Sequence, residues 1–526
     1  MSWRVLVLAA CLPALASCAP AQAARDPHTL VVLELGDAST LNPIYSSNYY
    51  AFLYQNLVFD QLVGTGDDFA DIPLLATSWK STPDGKHWTV ELRKGVRWSD
   101  GAPFSSADVV WTWQTLLDPK AGYPYRGQFD YIKSVRADGP NTVRFDLSAP
   151  NALFVSEGLG NWILPQHLLG NVPRNQLRQT NFGEHPVGTG AWVLKEWRHD
   201  EQLTFEPNPY WWGGAPKIKR LVFRIVLNDQ ARIEAMEENA ADVDDGIGPS
   251  GYATFVGDRA KLRLLHIPDL FIDFIYINFT KPGLDDLEVR RAMMYGWDRK
   301  ALATGLARGD SQLATSIVPA GLRYWYTPKV RDYPYDPARA RAILDASGYK
   351  LGPDGVRVRG AVRLAYTLTV PGNGGANQDF VAEYQADMRD IGIAISIQTI
   401  DYATFLQRME EMKYELALSG WGGVPDPDQM TLLGSDQFPP AGNNQMHYKN
   451  PAMDRVLRLG LVTVDKAKRR PYYDAMQRIV AEDVPILYYE WPYYRCAIAP
   501  RVRFDFARAL PGIYLFRNVT TWTLNG

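Results

Sequence analysis

The stretch that decides the fold is RLAYTLTVPGNGGANQDFVAEYQADMRDIGIAISIQTIDYATFLQRMEEMKYELALS, residues 363–419. Strand and helix patterns alternate along it, in the order strand, helix, strand, helix, strand: 363–370, 377–392, 393–400, 402–412 and 414–419. Apolar residues of the first helix recur every three or four positions, whereas those of the middle strand alternate. Such a series packs most economically as crossovers onto a parallel sheet. The stretch therefore predicts an α/β fold.

The segment GWGGVPDPDQM (420–430) follows directly after the last predicted strand. Ligands of open α/β sheets bind in the crevice beyond the carboxyl ends of the strands, so this position predicts a ligand-binding loop. Gly422 and Gly423 would let a ligand approach the backbone closely, and Trp421 would form a wall. The two aspartates of the segment also suggest a calcium loop. The further oxygen ligands of such a loop are missing at that spacing, so we expect no metal here.

Two further regions have clear local patterns. FIDFIYINF (271–279) is almost wholly apolar, which indicates a buried strand. A helix is predicted to begin near Asp108, with Ser105 or Ser106 as its cap, and another at Asp336 and Pro337.

The composition is that of a large globular protein with many aromatic rings. The chain has 526 residues, of which 46% are hydrophobic and 21% are charged, and its formal net charge is −3. This charge gives no indication of a nucleic-acid partner. The 16 Trp and 28 Tyr residues are mostly core residues in our interpretation, but both ring types also form rigid ligand-contact surfaces.

Motifs that would indicate catalysis or a bound cofactor are missing from the sequence. The seven histidines are scattered, without the His-Glu-x-x-His pattern of zinc enzymes, and there is no Gly-x-Ser-x-Gly elbow and no phosphate loop. We therefore expect no catalytic residue, no metal and no cofactor. Two carboxylates distant in sequence, as in glycoside hydrolases, remain an alternative.

The N-terminus predicts export. A short apolar run after a positive charge is typical of a secretory signal, and this one is too short to span a membrane. It ends in LASC (15–18), which resembles the bacterial lipobox and predicts a signal peptide of residues 1–17, acylation of Cys18 and a tether of residues 18–27. Cleavage of an ordinary signal after AQA (21–23) is the alternative. No later segment is long and apolar enough for a membrane helix.

The cysteines indicate that the mature chain has no internal disulfide. There are three cysteines, of which Cys11 leaves with the signal and Cys18 carries the lipid. Cys496 is then alone, and without an evident histidine partner we expect it to be a buried structural residue.

Several segments, in their order and spacing, resemble the extracytoplasmic solute-binding proteins of bacterial ABC importers, in the dipeptide/oligopeptide-binding (family 5) branch. The segments that carry the resemblance are 76–113, 186–197, 208–226, 277–302, 335–349 and 474–491. The resemblance implies an α/β, periplasmic-binding-protein-like fold of type II, with two hinged lobes and an extra subdomain in the first lobe. The implied parts are a lobe I core (28–60, 188–276 and 492–526), the extra subdomain (61–187) and lobe II (277–491).

One departure from the family concerns the ligand. In peptide-binding members the loop that resembles 420–428 carries an aspartate at the third place after the tryptophan, and this aspartate holds the α-ammonium of the peptide. Here that place is Val424, and the loop is one residue shorter. Such a charge-assisted bond contributes roughly 1.5–3 kcal/mol. Either Asp426 or Asp428 replaces it, or the ligand has no free amine.

The resemblance and the loop position together give a set of candidate ligand contacts. They are Trp421, Gly422, Gly423, Asp426, Asn42, Tyr45, Asn278, Tyr489 and Trp491. Core packing is the alternative for Trp421, Tyr489 and Trp491. For Asn278 the alternative is that its amide only satisfies backbone groups.

The resemblance implies a monomeric periplasmic receptor, anchored to a membrane by lipid, that delivers a peptide or peptide-sized polar solute to an ABC permease of the inner membrane. Hinge closure on the ligand would be the mechanism. A non-peptide ligand, such as an oligosaccharide, an opine or a metal chelate, is an alternative within this class. An exported hydrolase and a surface chaperone or adhesion protein are alternatives of other classes.

Overall fold

The computed structural model of the chain describes residues 26–46, 48–257, 262–303, 311–319, 321–372, 378–439 and 442–525. The predicted signal peptide, Cys18 and most of the predicted tether lie outside these residues. Within the described ranges, no helix is both long and apolar enough to cross a membrane.

Up to residue 257 the chain forms short strands, several of them consecutive, with five α-helices between them in the described residues. In chain order they are β1 (Thr29–Glu34), α1 (Tyr49–Val58), β2 (Val63–Thr65), β3 (Asp71–Pro73), β4 (Ala76–Ser81), β5 (His87–Leu92), α2 (Ser106–Leu117), β6 (Ile132–Ala137), β7 (Thr142–Leu147), α3 (Gln166–Leu169), β8 (Trp192–Arg198), β9 (Gln202–Pro207), β10 (Arg220–Ile225), α4 (Asp229–Glu237), β11 (Val243–Asp245) and α5 (Pro249–Gly257).

The rest of the chain has longer helices and one long strand near its end. The elements are β12 (Arg263–Pro268), β13 (Phe271–Ile277), α6 (Leu287–Gly296), α7 (Arg299–Ala301), β14 (Ser311–Leu313), α8 (Pro337–Ala346), β15 (Lys350–Leu351), β16 (Arg357–Arg359), β17 (Val362–Arg363), β18 (Ala365–Pro371), α9 (Gln378–Asp390), β19 (Ala394–Ile400), α10 (Tyr402–Glu410), β20 (Leu416–Gly422), α11 (Met430–Leu433), α12 (Pro451–Val462), α13 (Lys466–Asp483), β21 (Ile486–Ile498), β22 (Val502–Arg503) and β23 (Thr523–Leu524).

Within the described residues, twelve strands form one continuous hydrogen-bonded sheet, with two large hydrophobic cores and a smaller one around α4 and α5. The main path runs β19-β18-β20-β13-β21-β11-β1-β10-β9-β8, with β12 and β14 also paired to β21. One large core packs around β1, β9 and β10, and it includes a separate sheet of order β4-β5-β7-β6 with helix α2. The other packs around β13, β18 and β20. We call these two parts the first half and the second half.

The parallel arrangement predicted for residues 363–419 is confirmed. Strand β18 pairs in parallel with β19 on one side and with β20 on the other. The end of β20 differs from the prediction, because the strand continues to Gly422 instead of ending at Ser419. It continues because residues 416–422 pair antiparallel with all of β13, a partner that lies far away in the sequence.

Strand β21 belongs to both halves. Its first part pairs with β13 and its last part with β12 and β11. Pro492 lies in β21 where these two parts meet, and Pro268, the last residue of β12, is paired with the adjacent Tyr493. The chain passes from one half to the other at these two positions, next to Pro268 and at Pro492.

The first crossing comes earlier than the resemblance implies. Leu270 and Ile272 are already members of the second core, as is the rest of the apolar part of β13. The structure therefore places residues 270–276 with the second half, whereas the sequence assigned them to lobe I. Their pairing with β20, which the sequence does not reveal, is the reason.

The predicted helix starts are confirmed by their caps. Ser105 accepts the Ala107 amide and forms a capping box with Asp108 at the start of α2. Asp336 accepts the Arg339 amide at the start of α8. Caps of this kind contribute about 1 kcal/mol each.

Candidate ligand cleft

The first half presents two neighbouring carboxylates at the carboxyl end of its parallel strands. Strands β1 and β11 pair in parallel, with Leu33 opposite Asp244, so Glu34 and Asp245 end these strands side by side. The carboxyl edge of a parallel sheet is the usual ligand crevice of an α/β protein.

These two carboxylates are almost completely buried. Glu34 is 1% exposed and Asp245 is 3% exposed, and the atoms Glu34 Oε1 and Asp245 Oδ2 have no hydrogen-bond partner among the described residues. The Tyr494 hydroxyl donates to the other oxygen of Asp245. Burial raises the pKa of Asp245 to about 6, and burial together with the charge of Asp245 raises that of Glu34 well above its usual value.

A second pair of carboxylates lies where the chain enters the second half. Asp273 of β13 is opposite Glu490 of β21. Burial, together with the charges of Glu490 and Asp269, raises the pKa of Asp273 to about 8. Asp269 lies between β12 and β13, and burial raises its pKa to about 6. Carboxylates therefore lie along the junction from one half to the other.

Exposed aromatic rings lie beside these carboxylates. Tyr49, at the start of α1, is 38% exposed, and Phe271 of β13 is 40% exposed. The pKa of Tyr49 is raised well above its usual value by burial and by the charges of Asp245 and Glu34, so its hydroxyl is close to the first carboxylate pair. The junction thus combines apolar ring surface with negative charge.

Trp421, Gly422 and Gly423 lie at the end of β20, next to the first crossing. A Cβ atom on Gly422 would lie 2.2 Å from the carbonyl oxygen of Leu270, and one on Gly423 would lie 3.2 Å from the Phe271 ring. Their φ angles of 142° and 92° also favour glycine. The close approach of two strands therefore explains both glycines without a ligand.

The Trp421 ring is half-buried against the second core. Trp421 pairs with the buried Ile272, so both point to the face of the sheet opposite to Asp273. Part of the ring stays accessible to solvent.

Asp426 forms an ion pair with an arginine of the same half. Arg469 donates to Asp426 Oδ2 at 2.5 Å and to Oδ1 at 2.9 Å. Asp428, beside it, accepts the Tyr473 hydroxyl at 3.1 Å. These contacts favour a structural role for Asp426 over the ligand contact predicted from the sequence.

This aspartate pair faces the first half. Burial, with the charges of Asp426 and Asp428, raises the pKa of Glu157 to about 8, and Glu157 belongs to the first half. Close by, the Ala152 amide donates to the Leu461 carbonyl of α12 at 2.7 Å. The predicted loop therefore lies where the two halves approach each other.

Asn42 and Tyr45 belong to a different pocket. Together with Arg178 and Gly183 they line a cavity of about 330 Å³ in the first half. The guanidinium of Arg178 lies 4.5 Å from the centre of the Tyr45 ring, and Asn42 Oδ1 accepts the Ile44 amide to close a turn. The structure groups these two residues with Arg178 and not with segment 421–423.

Asn278 is fully buried and all its polar atoms are engaged. Its Nδ2 donates to the carbonyls of Met412 and Tyr414, and its Oδ1 accepts the Thr280 amide and hydroxyl. The structure therefore favours the alternative in which this amide only satisfies backbone and neighbouring polar groups.

Tyr489 and Trp491 are 2% and 4% exposed and lie within the second core. Tyr489 packs on Trp297 and Phe380, with ring centres 5.3 and 4.7 Å away. The indole of Trp491 donates to the Ser316 carbonyl at 3.1 Å. These contacts favour core packing for both residues.

The residues that sequence reasoning missed are the carboxylates of the junction. One signal was present: Asp273 is the one charged residue in the mostly apolar FIDFIYINF, an unusual place for a carboxylate. Its partner Glu490 lies far along the chain, so no local pattern joins the two.

Comparisons with known proteins agree with this fold. Residues 72–439 match the model of the bacterial extracellular solute-binding proteins, family 5. Protein XP55 of Streptomyces lividans is 32% identical over 87% of this chain and 82% of its own. The oligopeptide-binding protein AppA of Bacillus subtilis is 26% identical over 88% of this chain and 86% of its own.

A solved structure confirms the predicted two-lobed α/β fold. NikZ from Campylobacter jejuni, in complex with Ni(L-His), has a TM-score of 0.82 with 24% identity, covering 95% of this chain and all of that one. The class of protein is thus an extracytoplasmic solute receptor. The chain belongs to the bacterial extracellular solute-binding proteins of family 5, and its place is that of the binding component of an ABC importer.

Proposed function

We propose that this protein captures a peptide or a peptide-sized polar solute in the cleft between its two halves and delivers it to an ABC permease. The observation that carries the proposal is the position of segment 421–428, which lies beside the first crossing and faces Glu157 of the other half. A ligand in this cleft would touch both halves. Two relatives are named for peptide binding, the oligopeptide-binding protein AppA and the dipeptide-binding protein of Escherichia coli, and this supports a peptide ligand.

The junction supports closure by hinge bending. The halves are joined through β21 and through the short link from β12 to β13, and these two crossings are neighbours in the sheet. A ligand shifts the population towards the closed form only if it binds that form more tightly. Contacts such as that between Ala152 and Leu461 are made between the halves in the conformation described.

A non-peptide ligand is the second candidate. The carboxylate expected to hold a peptide ammonium is replaced by Val424, and Asp426 is paired with Arg469. The NikZ structure holds a nickel–histidine complex, so this fold also accommodates small non-peptide solutes.

Binding without chemical change is part of the proposal. The family is one of binding proteins, and the described residues contain no cluster of histidine, cysteine and carboxylate side chains able to hold a metal ion. An exported hydrolase that used the carboxylates of the junction would release altered products. A binding protein should return the ligand with an unchanged mass after overnight incubation, whereas a hydrolase should not.

Attachment to the membrane through Cys18 and a monomeric state also remain proposals. The sequence LASC (15–18) is the support for the anchor. Replacing Cys18 by Ser should move the protein from the membrane fraction to the soluble periplasmic fraction. Sedimentation of the soluble form should give the mass of one chain.

The decisive experiment is native mass spectrometry of the purified protein, followed by thermal-shift measurements with the compound that is recovered. We expect a small molecule of peptide-like mass that raises Tm. Trp421→Ala should weaken retention of that compound, whereas Trp79→Ala, on the separate four-stranded sheet, should not. If the Trp421 variant binds the compound as tightly as the wild type, segment 421–423 does not contact the ligand.

A further inference from the structure

The cavity beside Asn42 and Tyr45, about 330 Å³ in volume, is formed by two segments of the first half that lie far apart in the sequence. The Leu41 amide of the turn after β1 donates to the Gly183 carbonyl at 3.1 Å, which joins the two segments. This volume is at the lower end of the range for small-molecule sites. The lining residues are Ser39, Thr40, Asn42, Tyr45, Arg178, Thr180, Gly183 and Glu184.

Asn42 presents an unpaired donor to this cavity. The residue is only 3% exposed, and its Oδ1 accepts the Ile44 amide at 3.1 Å, which fixes the orientation of the side-chain amide. Its Nδ2 donates to no residue that the structure describes, and it is not fully enclosed by protein. Buried amide groups nearly always have a hydrogen-bond partner, so the free donor points to an acceptor supplied from outside.

Two hydroxyl groups add donors at the same wall. Thr40 Oγ1 accepts the Asn42 amide at 3.1 Å, and its own hydrogen has no acceptor within the described ranges. A Cβ atom at position 183 would overlap Thr40 Oγ1, so glycine at this position leaves room for the hydroxyl group. Ser39 is exposed at the mouth of the cavity, and its hydroxyl donates to no described residue either.

Arg178 supplies a positive charge that the protein does not compensate. Its guanidinium lies 4.5 Å from the centre of the Tyr45 ring, and the side chain makes no ion pair with any described carboxylate. A guanidinium over an aromatic face is held in position by the ring while its N–H groups stay free. These N–H groups can bind a carboxylate through two parallel hydrogen bonds.

The carboxylate that lines the cavity has a partner of its own. Glu184 Oε2 lies 3.1 Å from His199 Nε2. The remaining hydroxyl of the lining, that of Thr180, donates to the Leu177 carbonyl at 2.8 Å. The cavity therefore has an excess of free donors and one free cation, which favours an anionic ligand. The nearby charge of Glu184 favours an anion with a single charge over phosphate.

We propose that this cavity binds a small free acid with one carboxylate group. Arg178 receives the carboxylate, and Asn42 Nδ2 and the Thr40 hydroxyl donate to its oxygens or to a neighbouring carbonyl of the ligand. The inference goes beyond the proposed function, because no residue of segment 421–428 or of the junction between the halves lines this cavity. It gives the receptor a second binding site, in the first half alone.

The test compares three probes by isothermal titration calorimetry with the full chain. They are N-acetylglycine, its neutral analogue N-acetylglycinamide, and inorganic phosphate. The first two differ only in the carboxylate, which becomes a carboxamide. We expect N-acetylglycine to bind the wild-type protein, and the other two probes to bind at least about tenfold more weakly.

Two variants change the cavity with little change in its shape. Arg178→Met removes the charge and keeps an unbranched chain over the Tyr45 ring, and it should weaken N-acetylglycine binding by at least about tenfold. Asn42→Asp keeps an oxygen for the Ile44 amide but replaces the free donor by a negative charge, so binding should be lost. The control is Arg144→Met, which removes an arginine that is 47% exposed on the separate four-stranded sheet and should stay within about twofold of wild type. Retention of native Tm checks the folding of each variant.

Each outcome supports or overturns the second site. Binding of the amide or of phosphate as tight as that of N-acetylglycine, no binding of N-acetylglycine, or full affinity in either cavity variant overturns it. Loss of N-acetylglycine binding in Trp421→Ala places the acid in the cleft and also overturns it.

A further measurement keeps this proposal distinct from solute capture in the cleft. Arg178→Met should retain the compound recovered from the purified protein as the wild type does. Loss of that compound in Arg178→Met would mean that the cavity holds part of the cleft ligand, which overturns the second site and leaves solute capture standing. Failure to recover any compound counts against capture alone, because N-acetylglycine binding is measured independently.

Discussion

Arg469 binds Asp426 through both terminal nitrogens, and the two side chains are only 4% and 14% exposed. The same guanidinium donates to the Tyr473 hydroxyl, which in turn donates to Asp428. One arginine thus compensates the carboxylates of the predicted ligand loop. The loop is held in place by its own half before any ligand arrives.

Removing this arginine should destabilise the protein. Arg469→Ala leaves Asp426 and Asp428 partly buried without a cation, and we expect a loss of about 3 kcal/mol in the free energy of unfolding. Denaturant titration monitored by tryptophan fluorescence measures it. The control is Arg458→Ala: this arginine is 59% exposed and lies 3.6 Å from Asp454, so its ion pair should contribute less than about 0.5 kcal/mol. Equal losses in both variants would mean that Arg469 is no more than a surface cation.

The unpaired Asp273 should make stability depend on pH. The pKa of Asp273 rises from 3.8 in the unfolded chain to about 8 in the folded one. Between these two pH values the folded protein holds a proton that the unfolded chain has released. The contribution of Asp273 to stability should therefore fall as the pH rises from about 4 to about 8, by at most about 1.4 kcal/mol per pH unit.

Asp273→Asn isolates this contribution in the ligand-free protein. The variant should lose stability less steeply than the wild type between pH 5 and pH 8, as measured by urea titration at about one-unit intervals. Asp436→Asn, with an exposed carboxylate, should follow the wild-type curve. Parallel curves for wild type and Asp273→Asn would show that this carboxylate is not desolvated.

Gly422→Ala should disturb the first crossing. The new methyl group would lie 2.2 Å from the Leu270 carbonyl oxygen, so the backbone of β13 or β20 must move. We expect a loss of about 3 kcal/mol in unfolding free energy, above the roughly 1–2 kcal/mol that a positive φ alone costs alanine. Gly139→Ala is the control, with a φ of 85° and open space around it. A loss no larger than that of the control would show that the strands can separate freely here.

Asn278→Ala should affect stability and leave ligand affinity unchanged. The substitution leaves the buried Tyr414 carbonyl and the partly buried Met412 carbonyl without their donor, which costs about 2–3 kcal/mol. Thermal unfolding measures the loss, and calorimetry with the recovered ligand measures the affinity. A change of more than about tenfold in affinity would show that Asn278 contributes to ligand binding.

Local patterns in the sequence were enough to predict the strands and helices of residues 363–419 and the parallel pairing of the strands. The alternation of strands and helices in residues 363–419 predicted how β18, β19 and β20 pair, and the caps at Ser105 and Asp336 were also found. Both depend on residues close together in the chain, where periodicity and side-chain capping act.

Features that depend on distant parts of the chain were not predictable in this way. The extension of β20 to Gly422 is caused by pairing with β13, and the ion pair of Asp426 is made with Arg469 on a later helix. The Asp273–Glu490 pair joins strands that only the folded sheet brings together. A carboxylate inside an apolar strand is nevertheless a pattern that sequence analysis can search for directly.

Pro268 and Pro492 lie where the chain passes between the halves, and neither has a backbone N–H to donate. Turning one body against the other at these levels takes no amide bond away from either proline. Resistance to opening then comes from contacts between the bodies, such as that between Ala152 and Leu461, and from the ligand that fills the space between them. The time that the receptor stays shut, and so is available to its transporter, depends in part on the cargo.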